Sequence, residues 1–490
     1  MLEHPALDAF EPLLDAVMTI AHTGGLQALA QAGLRLEDIK TSPSAHRRFL
    51  RGCHYGFDLA QRHVTKAVID LEQKARSLGG EARDHAPLLQ VMRARQQVLR
   101  RLIDSILFQI LFPDERALRY FAIEDRLHPI DPPVLMRMAE IAHQRNNEDR
   151  LKFNVISDLT TAVQIGDLVE VDRTNRAKTS WRVIELKEGK MNTVLSSLIE
   201  EKGGSLTDQD FATLKATHGE AAARQARRML RQREREESFR DIMETDQGMS
   251  PHYHMPVHVT PEAHETGSYM GTIQRICDDA KQHGVAITTV DGCLRLLAAN
   301  PGRPRWPKGF MIGPVRHCFY HIGEQVSECV IDDPAKAQTE VQAMRDIPPV
   351  ADLIAHNMYD PLATPIFIFQ DPEIVKNLIM GRLRVFVQFD FRRFFEQASS
   401  QGMQLSWASQ KETEDYKGMS GIIPGSPGSY AVRVTIPGAP EQILLGGFFR
   451  RVIGDFTPPR DLLAMMKRFP QQHERMRRSG GDELQSDLTP

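Results

Sequence analysis

A chain of 490 residues with 61 Lys and Arg against 64 Asp and Glu carries a formal net charge of −3, which excludes a molecule-wide cationic field and leaves nucleic-acid binding to a local basic patch. At roughly 100–200 residues per domain the length predicts about three domains with ample apolar content for a real core. The five cysteines include no CxxC pair, the first residues (MLEHPALDAF) lack a leader pattern, and no window reaches the ~18 apolar residues of a membrane span, so the chain reads as soluble, reduced and cytoplasmic, without a membrane partner.

From about 45 to 112 apolar residues recur at helical spacing. Phe57, Ala60, Val64, Ala67, Val68 and Leu71 share one face, and Leu88, Val91, Val98, Leu102 and Ile106 share another. Gly79-Gly80 between the two runs predicts an antiparallel helical pair within a helical N-terminal region over 1–128. Core packing explains such a pair, and its outer face also offers a surface for a partner protein or a second copy of the chain. His128-Pro129 and Asp131-Pro132-Pro133 are turn signals, after which a helix is predicted through Val134–Gln144. Phe153–Ile156, Thr161–Ile165, Leu168–Val171 and Trp181–Leu186 read as strands, being short, apolar or β-branched and separated by polar turns. Past Gly203-Gly204 a long polar helix is predicted from Asp208 to Met243, inside a basic insertion over 206–246. Val285–Ala299 then reads as a strand pair turning at Asp291-Gly292. The prolines between Asn300 and Pro307 block helix and sheet alike and mark a linker. A separate α+β domain is expected over 309–470, with strands at Ile366–Phe369, Val385–Phe391, Ala431–Ile436 and Ile443–Phe449. The polar residues 471–490 read as a disordered tail.

Chemistry concentrates in Ile165-Gly166-Asp167-Leu168-Val169-Glu170-Val171 and, after a polar turn, Trp181-Arg182-Val183-Ile184-Glu185-Leu186-Lys187. Alternate strand residues share a face, so Glu185 and Lys187 project together while Ile184 and Leu186 point the other way. A hairpin centred near Asn175-Arg176 places Asp167 opposite Glu185. Two neighbouring carboxylates repel each other unless a hard divalent cation such as Mg²⁺ lies between them, and such an ion beside a lysine suits phosphodiester hydrolysis. The tripeptide [D/E]xK occurs at seven places in the chain. Only the copy at Glu185 ends a β-like run with a Gly-Asp one hairpin earlier. A surface hairpin with an ordinary Glu/Lys pair is the structural alternative.

On these residues the segment from about Val134 to Ala299 resembles the PD-(D/E)XK, or restriction-endonuclease-like, nuclease superfamily. The resemblance implies an α/β fold (α+β over the whole chain): a restriction-endonuclease-like mixed sheet flanked by helices, spanning 129–300, in which a three-stranded meander is followed by a helix and a fourth strand. It further implies Asp167 and Glu185 as metal ligands, Lys187 as the catalytic lysine, and Mg²⁺ or Mn²⁺ as cofactor. Gly166 stands where many relatives have proline. A further acid on the preceding helix would be Glu140, with Glu148 as the runner-up, although for either the solvated helix-surface glutamate is the favoured reading. The expected activity is hydrolysis of DNA or RNA, in microbial defence or nucleic-acid processing. The alternative is a nucleic-acid or protein binding module on a catalytically degenerate nuclease fold.

Arg224, Arg228, Arg231 and Arg235 fall on one helical stripe and are candidate phosphate contacts, as is Lys190. Interleaved Glu234, Glu236 and Glu237 suit a salt-bridged solvated helix equally well. His252, His254, His258 and His264 have no known metal-site spacing. Phe386, Phe389, Phe391, Phe394 and Phe395 read as core rather than base-stacking groups. No P-loop, dinucleotide fingerprint, HExxH or GxSxG is present.

Overall fold

The computed structural model describes residues 2–24, 28–29, 31–34, 38–78, 85–111, 118, 130–163, 166–175, 179–186, 190–245, 247–249, 256–258, 267–300, 351–360, 363–368, 371–409 and 431–478. The fold is α+β, and the chain divides into two compact units. Unit one comprises Met1–Pro261 with Pro365–Pro372; unit two comprises Glu262–Thr364 with Glu373–Pro490. Among the described residues no helix is long and apolar enough to cross a membrane.

Unit one begins with helices α1 (Phe10–His22) and α2 (Pro43–Gly52), the second passing through a π turn at Cys53–Phe57 into α3 (Asp58–Ser77). The predicted face of α3 is buried, including Ala60, Val64, Val68 and Leu71. Helix α4 (Ala86–Leu111) is enclosed over almost the whole of its second half, and its polar groups there are spent on binding other segments. Asp104 accepts from the Thr161 and Ala162 N–H groups at 2.8 and 3.2 Å, and the fully buried Arg101 donates to it at 2.8 Å. Burial pushes the Arg100 guanidinium down to about 10, and it donates to the Asp158 carbonyl at 2.7 Å. Together these bonds tie the loop after the first strand to α4, where unpaired backbone groups would be costly. Helix α5 spans Pro132–Glu148, with proline in its first turn as the start signal requires.

A three-stranded antiparallel sheet follows: β1 (Lys152–Ile156), β2 (Leu168–Asp172) and β3 (Ser180–Ile184), in that spatial order. Thr161–Ile165 does not form the predicted strand: 161–163 lie in the loop held by Asp104, and 164–165 fall outside the described residues. The free edge of β1 is satisfied by side chains. Asn146 Oδ1 accepts from Asn154 N–H at 2.6 Å, and Gln61 Oε1 accepts from Ile156 N–H at 2.9 Å. Helices α6 (Lys190–Glu201), α7 (Asp208–His218) and α8 (Glu220–Thr245) complete the region. The single helix expected over 208–243 is broken at Gly219, whose φ of 85° is open to glycine and strained for other residues. Leu195, Leu214 and Ala226 bring the three helices around a small apolar core.

In unit two, α9 (Met270–His283) precedes strands β4 (Val285–Val290) and β5 (Leu294–Ala299), which turn at Asp291-Gly292 as expected, both with positive φ. The sequence reading placed this pair inside the segment 129–300, with the first three strands. Instead β5 pairs with β7 (Arg384–Phe389), and β7 pairs with the short β6 (Ala351–Asp352) in a four-stranded sheet. The expected sheet was mixed, yet every strand pairing among the described residues is antiparallel. Helices α10 (Leu353–Tyr359), α11 (Pro372–Ile379) and α12 (Phe391–Ser400) flank this region, and β8 (Gln404–Trp407), β9 (Ala431–Thr435) and β10 (Gln442–Leu445) form a second sheet. The strand expected to continue to Phe449 gives way to α13 (Gly446–Gly454). Ile366–Phe369 was expected to be a strand, but Ile366–Ile368 is a 3-10 turn that packs on α4 in unit one. Phe391, Phe394 and Phe449 are buried and pack ring on ring, with the half-buried Trp407 against Phe391, so the phenylalanines serve as core as expected. Helix α14 (Pro459–Arg478) extends into the stretch read as a tail. The linker 301–307, His252, His254 and His264 lie outside the described residues.

Candidate active-site groove

Backbone geometry sets the first acid. Gly166 has φ 66°, a value closed to proline, and a Cβ built there would lie 2.1 Å from Val183 Cγ1. Glycine in place of the expected proline is therefore a requirement of this hairpin. The next residue is held on both sides: Asp167 N–H donates to the Ile184 carbonyl and its carbonyl accepts from Ser157 N–H, each at 2.9 Å. The Asp167 carboxylate accepts from Leu186 N–H at 2.5 Å, so it also ties down the chain just past β3.

The β2/β3 register pairs Leu168 with Ile184 and Val169 with Val183. Carried one step outward, it sets Asp167 against Glu185, the partner expected from the hairpin. Opposed residues of an antiparallel pair share a face. Glu185 lies beyond the last paired residue of β3, and its Oε1 accepts from Gln232 Nε2 of α8 at 2.8 Å.

Both carboxylates line one groove of about 1310 Å³, above the ~300–1,000 Å³ usual for small-molecule sites. Its walls come from the start of α5 (Pro133, Val134, Arg137, Met138), from α6 (Asn192, Ser196, Ile199, Glu200) and from the stripe of α8 that runs Gln225, Arg228, Met229, Gln232, Glu236 and Arg240. Asp158, on the 3-10 turn after β1, also reaches it. The stripe predicted on α8 is rotated from the one observed, because Ala222, Ala223 and Ala226 turn inward. Arg228 and Arg231 line the groove, while Arg224 is exposed and is not part of its lining. Arg137, Arg233 and Arg240 take places that the sequence reading left unassigned.

The remaining expected residues fall as follows. Glu140 is exposed on α5 and does not line the groove, so the structure does not join it to the acid pair. Its neighbour on the groove side is Arg137, one helical turn earlier. Glu148 lines a different depression, with Arg145, Lys152 and Glu170. Lys187 and the side chains of Lys190 and Arg235 lie outside the described residues. The run Ile156–Thr160 reads from sequence as the entry to the core, but without a role for Asp158, and Gln232 carried no local signal; the tertiary fold brings both to the groove.

The two carboxylates flank the paired ends of β2 and β3 and line one groove; an oxygen-only pair of this kind would suit a hard divalent cation that keeps several waters and is completed by substrate phosphate. Among the described residues no group of three or more His, Cys, Asp or Glu side chains gathers at metal-binding distance. Comparison with protein-family models, curated proteins and solved structures finds no match for this chain.

Proposed function

We propose that unit one is a metal-dependent nuclease of the restriction-endonuclease-like type, hydrolysing phosphodiester bonds of DNA or RNA with Mg²⁺ or Mn²⁺. The observation that carries this reading is that Asp167 and Glu185, opposed at the end of the β2/β3 ladder, line one groove together with an arginine-bearing helix. Asp167 and Glu185 would hold the cation. When bound, it polarises the scissile phosphate and lowers the pKa of attacking water. Arg228 and Arg231 face the groove and would receive backbone phosphates as charge-assisted partners. Lys187, two residues beyond Glu185, would stabilise the charge that develops on the phosphate oxygens. The groove's own carboxylates, among them Asp131, Glu200, Glu236 and Glu237, balance its arginines, so a polyanion gains most when a cation already sits at the acid pair. The test is incubation of wild type, Glu185→Gln and Lys187→Ala with single- and double-stranded DNA and RNA, with and without Mg²⁺. Cleavage by wild type alone, and only with the ion, is expected. Undiminished cleavage by Glu185→Gln would remove the proposed centre.

A second reading, a binding module on a degenerate nuclease fold, is favoured by one observation: Asp167 and Glu185 are each engaged by a protein donor, Leu186 N–H and Gln232. Calorimetric titration with Mn²⁺ separates the two readings, since a degenerate site gives no heat of binding that Glu185→Gln abolishes.

A further inference from the structure

We infer that Gln232 is a positioning residue for Glu185, and that through it the helix bearing the groove's arginines sets the cation affinity of the acid pair. The inference rests on the nuclease reading above. Glu185 stands past the last paired residue of β3, so sheet hydrogen bonding does not orient its side chain. One oxygen of the carboxylate is held by a donor 47 residues further along the chain, Gln232 Nε2 at 2.8 Å from Glu185 Oε1. The donor's element is itself anchored. Gln225 Nε2 donates to Asn192 Oδ1 of α6 at 3.3 Å, and Ala226 is fully buried against Leu195 and Leu214.

The choice of side chain is informative. Within the groove lining Arg228, Gln232, Glu236 and Arg240 follow at four-residue spacing, and of these four only Gln232 is uncharged and meets the carboxylate. An arginine there would neutralise Glu185 and compete with a cation; a glutamate would repel it. An amide donor fixes the rotamer and leaves the charge in place, which is how outer partners of metal ligands act. Because Arg228 lies one turn from Gln232, a phosphate strand on α8 and a cation at Glu185 bear on the same element. Each ligand then raises the affinity for the other by the same factor.

The experiment is calorimetric titration of the full chain with Mn²⁺, alone and with a phosphorothioate oligonucleotide, for wild type, Gln232→Leu and Gln232→Arg. Metal-free melting temperature is recorded in parallel. Gln232→Leu is expected to weaken Mn²⁺ binding roughly tenfold or more and to shrink the enhancement by oligonucleotide, with little change in melting temperature. Gln232→Arg, which keeps a donor but adds charge, is expected to weaken Mn²⁺ binding further. Equal Mn²⁺ affinity in wild type and Gln232→Leu would overturn the inference and leave the nuclease reading standing, as would a loss of melting temperature with unchanged affinity. Failure of wild type to bind Mn²⁺ would overturn both.

Discussion

Asp167 has a structural duty as well as its proposed chemical one, and the two respond differently to substitution. Its carboxylate accepts from Leu186 N–H; Asn keeps an acceptor there, whereas Ala strands the donor. Asp167→Ala should therefore lose about 1–3 kcal/mol of stability and Asp167→Asn less than about 1 kcal/mol in chemical denaturation, with both inactive. Equal stability of the Ala variant and wild type would show that the bond does not hold the hairpin end. His54 gives the residue scale a pH signature. Its Nε2 lies 2.9 Å from the Arg150 carbonyl, and burial lowers its pKa from the ordinary value. The unfolded chain then binds the proton more readily than the folded one, so stability is present above the unfolded value near 6.5 and declines as pH falls through it. His54→Gln should flatten the fall in melting temperature between about pH 7 and 5; an unchanged slope would place the acid sensitivity elsewhere.

At the element scale the sheet of unit one is protected by helices rather than by further strands. Gln61 from α3 and Asn146 from α5 occupy the hydrogen-bonding groups on the free edge of β1, and Asn146 also donates to the buried Asp58 at 2.8 Å. Such capping removes an exposed template for strand pairing. Asn146→Ala leaves the Asn154 N–H and one Asp58 oxygen without that partner, and about 2–4 kcal/mol of destabilisation is expected from two buried losses. Faster hydrogen exchange at Asn154, measured by NMR or mass spectrometry, would accompany it. Wild-type exchange at that amide in the variant would mean that the side chain is not its protector.

For the whole molecule, the chain path matters as much as the site. Pro365–Pro372 belongs to unit one although it follows some hundred residues assigned to unit two. Ile366 and Phe367 are buried there, on the turn that packs against α4. Phe367→Ala should cost about 3–5 kcal/mol in the unit that carries the groove. Calorimetry, which resolves units that unfold separately, should show one transition lowered and the other in place. A shift confined to the transition that does not respond to Mn²⁺ would reassign the segment.

The acid pair was legible from sequence because it depends on local rules. Strand alternation, a turn near 175 and a glycine before Asp167 suffice to oppose Asp167 and Glu185 across a hairpin, and helices α3, α4 and α5 follow from apolar spacing and proline starts. Sheet membership was not legible. Leu294–Ala299 is buried at every residue, so its pattern fits any interior strand, and only long-range pairing with Arg384–Phe389 decides that it belongs to the four-stranded sheet of unit two and not to the sheet of unit one. Nor was the rotation of α8 legible. Three small alanines in a helix rich in charge give almost no hydrophobic signal, yet they choose which side packs and so which arginines, and which glutamine, face the groove. The sequence by itself determined which residues oppose each other at the hairpin end; tertiary packing alone decided what surrounds them, because those contacts join segments tens of residues apart.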